Sequence, residues 1–369
     1  GSGISPARAS AGTGDITVVA SGGTADGTDW TFSSGTITTV DNDAASINAS
    51  DVISYLNDGN LVIEAANITL SGDIAATEGS SSLTFKSAGD IDVGENIDIA
   101  TRGGDLIFWA DSDSGGDVNT ASGHIAFGAN SSVSTGSGGG DIVLGGQADD
   151  DSDGSPDGYA FGAKATGIEP WVGSGGGTAG SAAIFLTSTD IDSGSGDVVI
   201  RGHGTGQLSN FQMGVWFNLS SITASSVVVR GNGSTHSSGA NSSLWGVLLS
   251  GTDVQSGGGI DIQGTGGGAP TGVDTNQHGV VVFSQSGTPS TVEATGSGSL
   301  AIAGFAGGGD QYAQGTGLLI AAGQTIQSDS GDISLEGTAS KKTGQNAVWV
   351  DSTPVSSSGN ISVEGKPHG

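Results

Sequence analysis

The sequence predicts an all-β fold, a right-handed parallel β-solenoid (β-helix) with about three strands per coil. Three observations carry that expectation. First, a short phrase of alternating apolar residues closed by glycine recurs through the second half: "DVVIRG" at 197, "SVVVRG" at 226, "GIDIQG" at 259, "SLAIAG" at 299, "DISLEG" at 332 and "NISVEG" at 360. Its closing glycines, Gly202, Gly231, Gly264, Gly304, Gly337 and Gly365, lie 28 to 40 residues apart, a period that marks solenoids. Second, glycine supplies 70 of 369 residues while charged residues are only 13%, which means many tight corners and few long side chains. Third, a sustained 3.6-residue apolar period is missing, and "SDVISYLND" at 50 to 58 is the one helix candidate. A Greek-key sandwich array would instead show two-residue hairpin turns and modules of about 100 residues.

In chain order, residues 1–146 read as tight coils. "DITVVA" at 15, "NLVIEA" at 60, "SLTFKS" at 82, "DLIFWA" at 105, "HIAFGA" at 124 and "DIVLGG" at 141 each supply one strand, at spacings of 17 to 23 after residue 60. Residues 147–182 interrupt the repeat with an acidic insertion. Residues 183–369 continue the solenoid with longer coils, in which a second phrase such as "GVWFNLSSITAS" from Gly214 or "GVLLSGTDVQS" from Gly246 adds one strand, a polar corner and a shorter strand. The corners are rich in Gly, Ser, Asn and Asp, residues that accept φ > 0 or bond their own backbone. Variable loops follow each closing glycine, at 203–213, 232–245, 265–278, 305–316 and 338–346, and should line one side. Inward Val, Ile, Leu, Phe and Ala should stack from coil to coil into one long core, with Trp109, Trp216 and Trp349 as further core packing. Neither end shows an amphipathic capping helix, so bare ends are expected to stack on a neighbouring copy, making a filament, or on flanking repeats of a longer chain.

The first half resembles the filamentous-haemagglutinin-like repeats of large bacterial surface adhesins. The residues that carry the resemblance run from about 45 to 145: "VISYLNDGNLVIEAANITLSGDIAA" from Val52, then "SSLTFKSAGDIDVGENIDIATRGGDLIFWA" from Ser81. Leu56, Asn57 and Gly59 stand where that family has its "LN-x-G" phrase, ahead of Leu61, Ile63 and Ala65, with Asn67 and Ile68 following. The later coils match Gly-rich surface repeats more loosely. The resemblance implies a right-handed parallel β-helix, secretion to the cell surface or extracellular matrix, and a role in adhesion or biofilm.

Charge excludes other classes. Thirty-eight acidic residues against nine Lys and Arg leave a net charge of −29, which repels nucleic acid and anionic membranes, and no apolar stretch approaches the ~20 residues of a membrane span. There is no cysteine. The five histidines, His124, His203, His236, His278 and His368, fall in different coils without metal spacing or triad partners and read as surface-loop residues. Arg201 and Arg230 hold matching places in successive repeats and should stack on an outer face.

One constellation is specific. In "ADDDSDGSPDG" (148–158), Asp149, Asp151 and Asp153 occupy positions 1, 3 and 5 of a D-x-D-x-D-G loop, Gly154 turns it at 6, Ser155 offers a carbonyl at 7 and Asp157 stands at 9. Hard oxygen ligands at this spacing curl around Ca²⁺, and the loop resembles the calcium loops of dockerin-like and thrombospondin type 3-like repeats. Position 12, where an EF-hand has its bidentate Glu, is Ala160. The sequence therefore reads as a non-enzymatic, secreted, calcium-stabilised rod that meets surface glycans or cells through its loops. A polysaccharide-binding or polysaccharide-degrading β-helix is the alternative.

Overall fold

The computed structural model describes residues 16–19, 30–40, 44–112, 123–147, 149–166, 180–205, 211–234, 243–268, 275–307, 313–341 and 345–367. Among them the chain is all-β, apart from one α-helix and one 3-10 turn, and its strands form two large, mostly parallel sheets of 14 and 20 strands.

The first sheet pairs strands roughly one repeat apart in the sequence. From Ile68–Ser71 it runs through Ile91–Val93, Ile125–Phe127, Gly180–Thr187, Phe211–Asn218, Ser243–Ser250, Val280–Phe283 and Leu318–Ile320 to Val348–Val350, always parallel and in register. The second sheet holds two such ladders. One carries the glycine-closed phrase, from Leu61–Ala65 through Leu106–Ala110, Asp197–Gly204 and Ser299–Phe305 to Ile361–Lys366. The other is shorter, from Ile74–Ala75 through Asp190–Asp192 to Val355–Ser356. Strands Ser221–Asn232 and Asp253–Thr265 run through both ladders and join them. Inward residues of all three ladders make one continuous core, in which Ile63, Phe108, Ile200, Val229, Ile302 and Leu335 are fully buried.

In the short ladder, stacking separates acids from one another. Register neighbours sit about 4.8 Å apart, so like charges on successive rungs would repel. In the short ladder acids alternate with hydroxyls, in the order Asp98, Ser132, Asp190, Ser221, Asp253. Ser132 donates to Asp98 at 2.6 Å and Ser221 to Asp190 at 2.6 Å. Corners use buried hydroxyls: Ser193 Oγ donates to Gly196 O and Ser256 Oγ to Gly259 O, each across a three-residue span of the turn.

The closing glycines serve a purpose other than the left-handed backbone expected of corners. Gly202, Gly231, Gly264, Gly304 and Gly337 are not among the positive-φ residues. A Cβ on Gly264 would lie 2.1 Å from Gly279 O, and one on Gly231 would lie 2.3 Å from Gly246 O. Two glycine rows face each other where a glycine-closed strand passes the start of the next first-sheet strand, backbone against backbone.

The amino-terminal end of the ladders departs from expectation. Strand Ile16–Val19 is not outermost in its sheet. It lies between Ile68–Ser71 and Ala45–Asn48. Strands Trp30–Ser33 and Thr36–Thr39 form an antiparallel hairpin at the edge of the second sheet. The helix candidate is confirmed as α1, Ala49–Asp58, which buries Ala49, Val52 and Leu56 in the core and packs on strands Ala45–Asn48 and Ile74–Ala75. The end expected to lack a capping helix is therefore covered by one. A ten-residue helix with a narrow apolar stripe is hard to recognise as a cap until its neighbours are known.

The packing expected of the tryptophans holds for Trp109 and Trp216, though away from the main core, and fails for Trp349. Trp109, Trp216 and Trp349 lie outside the main core. Each takes an outward position of its strand, with Trp216 fully buried in a second apolar layer beside Phe185, Met213, Trp245 and Leu248. Trp109 lies under Lys86, whose Nζ is 4.9 Å from the ring centroid, and Trp349 is 50% exposed.

Candidate functional site

The acidic loop starts where strand Ile142–Gly146 ends. Three anchors hold it to the sheet: a bridge between Gly146 and Gly158, the Trp109 indole N–H donating to Gln147 O at 2.8 Å, and Arg201 donating to Pro156 O at 2.9 Å. Between the anchors the chain curls around its own carboxylates. Asp149 accepts from the backbone N–H groups of Asp153 and Gly154, Asp151 from that of Asp153, and Asp153 from that of Ser155. Ser152 and Gly154 take positive φ, 63° and 90°, and this winding turns alternate side chains to one side. Asp149, Asp151 and Asp153 each bring an oxygen within 4.8 Å of the others.

That convergence has an electrostatic consequence at Asp151. A backbone hydrogen bond from Asp153 favours its charged form, but lost hydration, together with the carboxylates of Asp153, Asp157 and Asp149, outweighs it and holds Asp151 above the usual range. A divalent cation would relieve that repulsion. Asp157 is turned to the Asp150 N–H at 2.9 Å, and the Ser155 carbonyl is a further oxygen on the same loop. Ala160 is fully buried in strand Ala160–Gly162, so no carboxylate closes the loop from position 12. The residues fit a small oxygen-ligated ion with solvent completing its shell.

A second charged group was not legible in the sequence. His124 is buried, with Nδ1 2.8 Å from Asp90 Oδ1 and Nε2 3.1 Å from Asp92 Oδ1. Lys164, from a short strand of the insertion, reaches the same Asp92 oxygen at 2.6 Å. Two N–H donors facing two carboxylates suit an imidazolium. Burial alone would lower the His124 pKa, yet the hydrogen bonds and charges of Asp90 and Asp92 raise it. Burial alone would raise Asp92, but His124 and Lys164 pull it down to about 2. Each of these charges is taken up by another, which makes the group a clasp holding the insertion to two coils. Only the parallel register brings these residues together, since they are 32 and 72 positions apart.

The surface-loop reading of the histidines fails for buried His124 and for His203, while His278 lies between strands and is half-buried. His203 lies in strand Asp197–Gly204 and stacks on Phe161 at 4.3 Å, and burial pushes it down to about 4. His278 is also held near 4 by burial, and its Nδ1 accepts the Thr316 N–H at 3.0 Å. His236 and His368 lie outside the described residues. Arg201 and Arg230 are direct register neighbours, as expected. Their repulsion is eased because Arg230 pairs with Asp261 at 2.5 Å while Arg201 turns to the acidic loop.

The loop row is narrower than the sequence suggested. Strands continue to Gly204, Asn232, Thr265, Phe305 and Thr338, and resume at Phe211, Ser243, Thr275 and Ala313. Departure points are in register with one another, and so are return points. No family model, curated protein or solved structure matches the chain.

Proposed function

We propose that the three ladders close into a right-handed parallel β-solenoid and that the chain is a rod-like structural and adhesive segment working outside the cell, without enzymatic activity. The closure reading is supported by strand order: the chain visits the first sheet, the short ladder and the glycine-closed ladder in turn, as in Ile68–Ser71, Ile74–Ala75 and Leu83–Ser87, and then begins again. Parallel crossovers of this kind are right-handed in nearly all proteins. The observation that carries the functional reading is the loop row, sequence-variable segments leaving a regular frame at one stacked corner. Such loops are where scaffolds of this kind present contact surface. The resemblance of residues 45 to 145 to filamentous-haemagglutinin-like repeats points the same way, to bacterial surface or biofilm matrix. No described helix is long and apolar enough to cross a membrane.

Calcium belongs to this proposal as a structural ion held by Asp149, Asp151 and Asp153, with Ser155 and Asp157 completing the loop. Thermal melting with added calcium and with chelator tests it. The midpoint should rise with calcium in the wild type and not in Asp151→Ala, and equal midpoints in the wild type would remove the ion. The role itself is tested by binding to bacterial cells and to acidic and neutral glycans, with product analysis on the same samples. Retention that is lost when the 232–245 and 265–278 loops are shortened supports adhesion, whereas glycan cleavage overturns the non-enzymatic reading in favour of the polysaccharide-degrading alternative.

A further inference from the structure

At one place in the loop row a side chain does the work of a backbone carbonyl. Val247, Val280 and Leu318 are paired in register, so Trp245, His278 and Thr316, each two residues earlier, stand in one column where the loops return to the first sheet. Few bonds join the returns of the 265–278 and 305–316 loops. Thr275–Asn276 pairs with Ala313–Gln314 over two residues, Gly279 donates to Thr316 O at 3.2 Å, and Gly307 donates to Gln277 O at 3.1 Å. The Thr316 N–H, in a residue only 5% exposed, donates instead to the imidazole of His278, at 3.0 Å from Nδ1. That bond needs the lone pair on Nδ1 and leaves the ring proton on Nε2.

We propose that His278 is an acid-sensitive latch of the loop row, tying the return of the 265–278 loop to that of the 305–316 loop and releasing it when the ring is protonated. An imidazolium carries two N–H groups and has no acceptor. Protonation at Nδ1 sets two donors against each other and leaves the buried Thr316 N–H without a partner. No carboxylate compensates the new charge. The ring's other described contact is the Trp245 indole, with centroids 5.7 Å apart. Strands Ser243–Ser250, Thr275–Asn276, Val280–Phe283, Ser299–Phe305, Ala313–Gln314 and Leu318–Ile320 contain no titratable residue. On the facing strand Asp253–Thr265, Asp261 is taken up by Arg230 and Asp253 lies at the end away from the loops. His124 is the contrast, with two carboxylates on its ring nitrogens. The His278 ring is therefore held neutral, and burial keeps it at about 4. The inference rests on the loop row as contact surface and adds its regulation, a row that is closed at neutral pH and loosened in acid.

Hydrogen exchange of the full 369-residue chain across pH, corrected for the intrinsic pH dependence of amide exchange, tests the proposal. Opening at the Thr316 amide should grow about tenfold per pH unit from about 6.5 down to about 4, because the released ring binds a proton that the latched ring does not. The Gly94 amide, which donates to Leu70 O in the tight coils, should show no such growth. His278→Asn sets an amide oxygen near the position of Nδ1, able to accept the same bond at every pH. It should keep the β-type circular dichroism of the wild type and lose the pH dependence at Thr316. A wild type whose Thr316 opens no more in acid than at neutral pH would overturn the proposal, as would growth shared equally by Gly94 or retained in His278→Asn. The wild-type amides decide the question even where the variant does not fold. Exchange needs no binding partner, so failure of the latch is read separately from failure of adhesion, which retention on cells and glycans reports.

Discussion

Gly264 shows how much one missing side chain decides. Its row and the row containing Gly279 let two backbones cross, and a methyl group at 264 would sit 2.1 Å from a carbonyl oxygen. Gly264→Ala should therefore destabilise by about 1–3 kcal/mol, the usual cost of overpacking. Gly257→Ala, where no atom lies within 4 Å of the added methyl, should stay within about 0.5 kcal/mol of wild type. Urea midpoints of the two variants check this, and similar losses in both would refute the backbone-crossing account. The closing glycine was legible as a repeat mark, but its reason was not. Sequence distinguishes poorly between a glycine needed for its φ and one needed for space.

His124 gives a pH dependence with a definite sign. Its pKa is raised in the folded state, so its contribution is complete below the ordinary value of about 6.5 and fades as pH rises through the folded value. Asp92, lowered to about 2, contributes above about 3.8 and loses that contribution as pH falls toward 2. His203 and His278, held near 4, act in the opposite sense, each costing stability as pH falls from about 6.5 toward 4. The difference between wild type and His124→Gln isolates the clasp. It should be largest, about 1–2 kcal/mol given that Asp90 and Asp92 are partly exposed, between about pH 4 and 6.5, and should shrink above that. A difference that grows with alkaline pH would mean that His124 is neutral in the fold.

At the scale of elements, α1 is the part that propensity and pattern located but could not place. The period of "SDVISYLND" pointed to a helix, and its apolar stripe is Val52 and Leu56 with Ala49 beside them. That this stripe closes the core end depends on strand Ala45–Asn48 lying beyond Ile16–Val19, a topological fact with no local signature. Leu56→Ala should cost about 2–5 kcal/mol, and hydrogen exchange should locate the loosening in residues 45 to 71 rather than in the later coils, since solenoid units couple chiefly to their neighbours. Uniform loss of protection along the chain would show instead that the cap controls the whole fold. The outward apolar row from Ala126 through Phe185, Trp216 and Leu248 to Val281 makes the same point about strands. Alternation marks two faces and does not say which one a second layer will cover.

For the whole molecule, the in-register ladders determine a dimension. Eleven strands in the main path of the first sheet, stacked at about 4.8 Å, make that sheet about 50 Å across. If the ladders close as proposed, small-angle scattering of the protein should show an elongated particle of at least that length, and a compact sphere of the same mass would refute the closed solenoid. The proposed contact surface is likewise a whole-molecule property, because it depends on a stacked corner that no single repeat possesses.

By itself the sequence determined the repeat, the all-β class, the helix at 50 to 58, the neighbouring arginines and the grouping of Asp149, Asp151 and Asp153. These are patterns within one coil or one loop, and in-register stacking copies a local pattern along the ladder unchanged. Only the tertiary structure decided the His124 clasp, the outward course of the tryptophans, the facing glycine rows and the place of α1 on the core. Each of these joins residues from different coils, whose spacing varies with loop length. Neighbours across rungs are therefore set by strand register and not by distance along the chain.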